Sequence, residues 1–168
     1  MNSDLIALIA NLALTLSFIV ALIFGIAQVK AAGRDRRERL TLETLRAFQT
    51  REFAELIQYV GWRDMPKTIE ELAALPEAEQ HLLIQFAQEM ESLGMMVAEG
   101  LINIDLVDKT LGSFVTTSWD KLKGLYMDIR VKREDPFLSE YYQWLAERID
   151  ERMRNNPRKP FHEGGKKA

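Results

Sequence analysis

Cysteine is missing from all 168 residues, which excludes disulfides, thiolate metal sites, cysteine nucleophiles and iron–sulfur clusters. Histidine is nearly absent too, with only His81 and His162 present. A di-iron bundle needs Glu-x-x-His on two helices, but Ala78 stands where the acid before His81 would be, and His162 lies in the C-terminal tail. Glu77 and His81 are spaced to pair on a helix surface, a contact worth a few tenths of a kcal/mol. The chain has no phosphate-binding glycine loop, no Gly-x-Ser-x-Gly elbow and no His-Glu-x-x-His motif. No catalytic, cofactor-binding or metal-ligating residue is therefore expected, and the chain reads as a non-enzyme. Alternating β-branched runs closed by Asn-Gly or Asp-Gly turns are also missing, so no sheet is expected.

The most informative feature present is an uncharged apolar run over residues 5–29. As a helix it measures roughly 37 Å, enough to cross a hydrocarbon core of about 30 Å with some tilt. Asp4 precedes the run, while Lys30, Arg34, Arg36, Arg37 and Arg39 follow it. Positive charge beside a span stays on the cytoplasmic side. The expectation is a single-pass protein of the cell (inner) membrane, with residues 1–4 outside and the C-terminal domain in the cytoplasm. A cleaved signal peptide is the rival reading. It needs a basic n-region and an apolar core of about 7–15 residues, and this chain offers neither.

Within the run, Ala13, Ser17, Ala21 and Gly25 recur every four residues. Small side chains at that spacing let a second helix approach closely. Asn11 and Thr15 form another stripe that lipid leaves without partners. One reading is a homodimer through the membrane helix; the other is the ordinary abundance of small residues in such helices.

The net charge of −3 conceals an uneven layout. Residues 1–39 carry a net +2, residues 40–150 a net −9 and residues 151–168 a net +4. An acidic body between basic flanks argues against nucleic acid and for an anionic membrane as neighbour. Arg158, Lys159, Lys166 and Lys167 in a disordered tail (155–168) either return to the leaflet that holds Arg34 to Arg39 or merely solubilise the end.

Residues 30–154 read as one compact cytosolic helical bundle, so the fold class is all-α with an N-terminal transmembrane helix. The spacing predicts a first helix over 33–62 with Leu42, Leu45, Phe48, Phe53, Leu56, Ile57 and Val60 inward. Thr68 and Glu71 form a capping box. A helix over 77–99 should bury Leu82, Leu83, Phe86, Met90, Leu93 and Val97, and Gly100 should end it. Leu101 and Ile102 should pack the turn. Asn103 should cap a short helix over 104–111, Gly112 should mark a boundary, and helices over 113–133 and 137–153 should follow. The first of these should carry Phe114, Trp119, Leu122, Tyr126 and Ile129, the second Leu138, Tyr141, Tyr142, Leu145 and Ile149.

The succession Glu91-Ser92-Leu93-Gly94, Gly100-Leu101-Ile102, Leu106-Val107, Trp119 and Arg130 resembles a prokaryotic family of domains of unknown function, DUF4760. That resemblance implies a membrane helix with a helical cytosolic domain and implies no activity. In physical terms, an acid and an arginine on two packed helices can form a bidentate pair. Glu91 with Arg130 is the pair expected, with Trp119 buried beside it and its indole N–H bonded to an oxygen. The trio is either a ligand notch or a buried polar tie that fixes helix register. Three functional classes stay open: a membrane-tethered module for an unknown protein partner, a structural oligomer, and a ligand sensor or weak enzyme using that notch.

Overall fold

The computed structural model describes residues 3–160 and 162–164. The regular structure among the described residues is all helix, with no strand, in six helices. The chain forms two compact units, Met1–Arg39 and Leu40–Ala168. Helix α1, Ser3–Ala47, supplies the first unit and opens the second.

In the first unit the apolar side chains of α1 are exposed. The helix is long and apolar enough to cross a membrane, and its most apolar stretch is exposed. Ala13, Ser17, Ala21 and Gly25 are all exposed, and nothing stands within 4 Å of the place a Cβ would take on Gly25. The Thr15 hydroxyl donates to the Asn11 carbonyl one turn back, at 2.8 Å.

The second unit contains α2 (Arg51–Trp62), α3 (Ile69–Ala73), α4 (Glu77–Ala98), α5 (Ile104–Arg133) and α6 (Glu140–Asn155). α6 lies against both α4 and α5, α2 bridges the same two helices, and α3 rests on α5. A chain of aromatic rings runs through the core from Phe48 to Phe53, Phe114, Phe86 and Tyr142, with centroids 4.7 to 6.0 Å apart and edges turned to faces. Edge-to-face contact places the positive ring edge on the negative face. The Tyr142 hydroxyl lies 2.6 Å from Ser118 Oγ, and Ser118 donates to the Phe114 carbonyl, also at 2.6 Å. Ser118 has one proton, so Tyr142 is the donor between the two hydroxyls. The buried polar group is thereby satisfied.

Most helix ends obey the local signals. Thr68 Oγ1 accepts from the Glu71 amide, while the Glu71 carboxylate accepts from the Lys67 amide rather than from Thr68 itself. Asn103 caps α5 through the Asp105 amide at 2.8 Å, and its own amide donates to the fully buried Thr41 hydroxyl. Gly100 takes φ 67°, so the Leu101 amide reaches the Met96 carbonyl and the Gly100 amide reaches Val97. This pair of bonds closes a helix whose next residue must turn left-handed.

Four expectations are corrected. The helix expected over 33–62 breaks at residues 48–50, where Thr50 caps α2 by accepting from the Phe53 amide. Leu42, expected inward, is 53% exposed because Thr41 occupies the buried position beside it. Leu101 is likewise exposed, and Ile102 alone packs the turn. Gly112 is no boundary: α5 runs unbroken through it. A tertiary contact overrides the helix-weakening effect of that glycine, since Ile149 of α6 packs against the space a side chain would fill.

Within the described residues the tail is tied down at Arg158. Arg158 Nη2 donates to the Asp108 carbonyl at 3.1 Å and lies 3.2 Å from the Asp108 carboxylate. Arg152 pairs with Asp105 on the same side of α5. Lys166 and Lys167 lie outside the described residues.

Candidate functional site

Glu91, Trp119 and Arg130 all sit near the start of α6, but the expected ion pair is not formed. From α4, the Glu91 carboxylate accepts the amides of Tyr141 at 3.2 Å and Tyr142 at 2.9 Å. These are second and third residues of α6, whose amides have no partner inside the helix. Ser139, the residue in the cap position, has φ 56° and makes no capping bond. A carboxylate from another helix does the work of the missing cap, and its charge suits the positive end of the helix dipole.

From α5, Arg130 grips the same segment on its carbonyl side. Its Nε donates to the Leu138 carbonyl at 2.8 Å and its Nη1 to Gln143 Oε1 at 2.6 Å. Both charged groups thus engage the backbone and side chains around residues 138–143, and Arg130 Nη2 is left buried without a hydrogen-bond partner. Trp119 stacks on Tyr126, with centroids 5.7 Å apart and planes 13° apart, and meets Tyr142 edge-on at 5.1 Å. Its indole N–H makes no hydrogen bond among the described residues, contrary to expectation. Trp119 lines a shallow hollow between α5 and α6 with Met127, Gln143 and Glu147, and neither Glu91 nor Arg130 reaches it.

The reason α6 comes so close to α4 lies three residues beyond Glu91. A Cβ on Gly94 would stand 2.2 Å from the Tyr141 carbonyl oxygen, so only glycine admits this approach. Residues three apart share a helix face. Glu91 and Gly94 therefore act together: the glycine brings the backbones into contact and the carboxylate caps what arrives.

A model of a domain of unknown function matches residues 15–149. The chain belongs to the DUF4760 family. The DUF4760 match contains the whole clamp, from Glu91 and Gly94 through Arg130 to Tyr142, and ends before Arg152 and Arg158. No curated protein and no solved structure matches the chain.

The same device recurs elsewhere in the domain, where reasoning from sequence missed it. Lys121 of α5 donates to the carbonyls of Val60, Gly61 and Arg63 at the end of α2. Asp128 accepts the Ile69 amide at the start of α3, at 2.8 Å, and pairs with Lys132. Tyr59 donates to Glu79 at 2.7 Å and Arg63 bonds the other oxygen, which joins the end of α2 to α4. Burial, and then the hydrogen bond to Glu79, push the Tyr59 phenol up to about 12.

These contacts set the pH response. The Ile69 amide, then Lys132, hold the Asp128 carboxyl below its ordinary value; Tyr59 and Arg63 do the same for Glu79, and Lys132 for Glu70. A carboxyl lowered on folding stabilises the fold above its unfolded value, about 4, and that contribution disappears as pH falls through the lower folded value. Lys132 is raised by Glu70 and Asp128, so its contribution is complete below the ordinary lysine range and disappears as pH rises above it. Thermal unfolding should therefore show a plateau from about pH 5 to 10 with an acid limb below about 4. Asp128→Asn should flatten that limb. An unchanged limb would remove Asp128 from the account.

Proposed function

We propose that the chain is a membrane-tethered, non-enzymatic interaction or assembly module whose helical domain faces the cytoplasm. The observation that carries the reading is the apolar part of α1, unburied by the protein itself and followed by five cations within ten residues. Such a helix is stable only where something apolar surrounds it, and the cations favour retention of the following segment inside.

The non-enzymatic part rests on how the candidate site is used. Glu91 and Arg130 are committed to the backbone around α6, which leaves a tie between helices rather than free groups aimed at a substrate. The interaction part rests on apolar side chains that the domain leaves uncovered, above all Trp62 at 87% exposed, with Val131 and Phe137. Tryptophan is enriched among residues that dominate binding energy. The stripe Ala13, Ser17, Ala21 and Gly25 fits a homodimer in the membrane, and an unknown protein partner fits the exposed domain surface.

Fractionation tests the tether. The chain should sediment with membranes, resist carbonate and high salt, and be released by detergent. Protease added outside sealed cells should leave the domain intact. Recovery of the full chain in the soluble fraction, or trimming from outside, would overturn the reading. Crosslinking in intact membranes then separates partners: a homodimer abolished by Gly25→Leu assigns the stripe, and one that persists refutes it.

A further inference from the structure

An apolar hollow in the helical domain borders the clamp at the start of α6. It has a volume of about 350 Å³ and is walled by Leu72 of α3, Leu83 and Ala87 of α4, and Leu122 and Ile129 of α5. That volume is at the lower end of the range for small-molecule sites, roughly 300–1,000 Å³. Four polar side chains line it: Gln88 and Arg133 are exposed at its rim, while Tyr126 and Ser139 are each only 5% exposed. Neither hydroxyl makes a hydrogen bond among the described residues. Neither hydroxyl is sealed from solvent, so each can exchange water for an acceptor on a molecule that enters the hollow.

The position of Ser139 adds to this. It holds a left-handed backbone conformation at the cap of α6 without capping the helix, because Glu91 supplies that bond from α4. Its hydroxyl is therefore released from the task a serine there ordinarily performs. Strain at a non-glycine residue persists only where its surroundings impose it. The charge around the hollow selects among ligands. Glu91 lies close enough that its charge, after burial, raises the Tyr126 phenol, so an anion beside the hydroxyls would be repelled. The exposed guanidinium of Arg133 stands at the mouth.

We infer that this hollow binds a small, neutral, apolar molecule with a carbonyl oxygen, which accepts hydrogen bonds from Tyr126 and Ser139 while α3, α4 and α5 surround its hydrocarbon part. The inference does not depend on the membrane tether or on any interaction role.

Three ring compounds of similar size distinguish the outcomes: cyclohexanone, cyclohexane and cyclohexanecarboxylate. Each is titrated into the full chain in lipid nanodiscs, against its measured free aqueous concentration, while methyl NMR signals of Leu83, Leu122 and Ile129 are followed. Cyclohexanone should shift these signals saturably and bind about 3- to 10-fold more tightly than cyclohexane, the size of one neutral hydrogen bond. Tyr126→Phe or Ser139→Ala should abolish that preference while leaving the affinity for cyclohexane unchanged. Both variants remove hydroxyls that bond nothing in the fold, so folding should survive; unfolding melts of each verify this. Ala87→Phe should fill the space and abolish binding of all three. The inference fails if no probe gives saturable shifts, if ketone and alkane bind equally, if the preference survives both hydroxyl deletions, or if the carboxylate binds most tightly.

Discussion

Gly94→Ala should lower the stability of the helical domain by about 3 kcal/mol, the upper end of the cost of forcing an extra carbon into a packed site. The new Cβ would lie 2.2 Å from the carbonyl oxygen of Tyr141 and 2.5 Å from its carbon. These are backbone atoms inside α6, so no rotamer change relieves the clash; α6 must move as a body. The intrinsic gain from replacing glycine by alanine in a helix, about 1 kcal/mol, is too small to offset this. Gly112→Ala is the internal comparison. Its Cβ would meet Asp108 Oδ1 at 2.6 Å, the end of a side chain rather than backbone, and relieving that contact costs at most part of the Arg158 pairing. That variant should fall within about 1 kcal/mol of the parent, the size of the helix-propensity gain. Denaturant unfolding of the full chain in detergent measures both, and equal effects would show that the close approach of α4 and α6 is misdescribed.

Glu91→Ala should cost about 2 kcal/mol, more than the roughly 1 kcal/mol typical of a lost cap. Two amides of α6 lose their acceptor at once, at 3.2 and 2.9 Å, and both bonds are part-buried. The loss of negative charge at the helix N-terminus adds a further fraction. Glu91→Gln keeps one acceptor oxygen and should recover about half of the deficit. Combined with Gly94→Ala, the effects should sum to less than their separate values, because both variants open the same junction. A Glu91→Ala protein as stable as the parent would remove the carboxylate from the clamp.

The two variants also show where the reading of the sequence stopped. Glu91, Trp119 and Arg130 stand out in the chain, and they do converge on one region. An acid and an arginine on neighbouring helices suggested each other as partners. In the structure each prefers a free backbone group at the end of a third helix, since an amide or carbonyl without an intrahelical partner needs a bond as much as a charge does. Lys121 and Asp128 behave the same way at α2 and α3. No spacing along the chain announces such a bond: for Glu91, Asp128 and Lys121 donor and acceptor are separated by 50 residues or more, and Arg130 reaches Leu138 only because the chain turns back between α5 and α6.

Local signals fared better where the bond that ends a helix is made within a few residues. Thr68, Gly100 and Asn103 act where their neighbours said they would. Thr50 carried the same kind of signal and was overlooked, because the apolar stripe from Leu45 through Phe48 to Phe53 continues across the break. At Gly112 the opposite happened: a residue that weakens an isolated helix is kept inside α5 by the approach of Ile149.

The amino-acid order alone determined an apolar N-terminal helix of membrane-crossing length, an all-helical domain after it and most of the inward faces, since hydrophobic periodicity and neighbouring caps act over one or two turns. Only the folded chain decided which charge meets which helix end, how near α4 comes to α6 and where two hydroxyls are left beside an apolar hollow. Those outcomes depend on groups far apart in sequence, and their energies exist only once packing has brought them within hydrogen-bonding distance and removed the water between them.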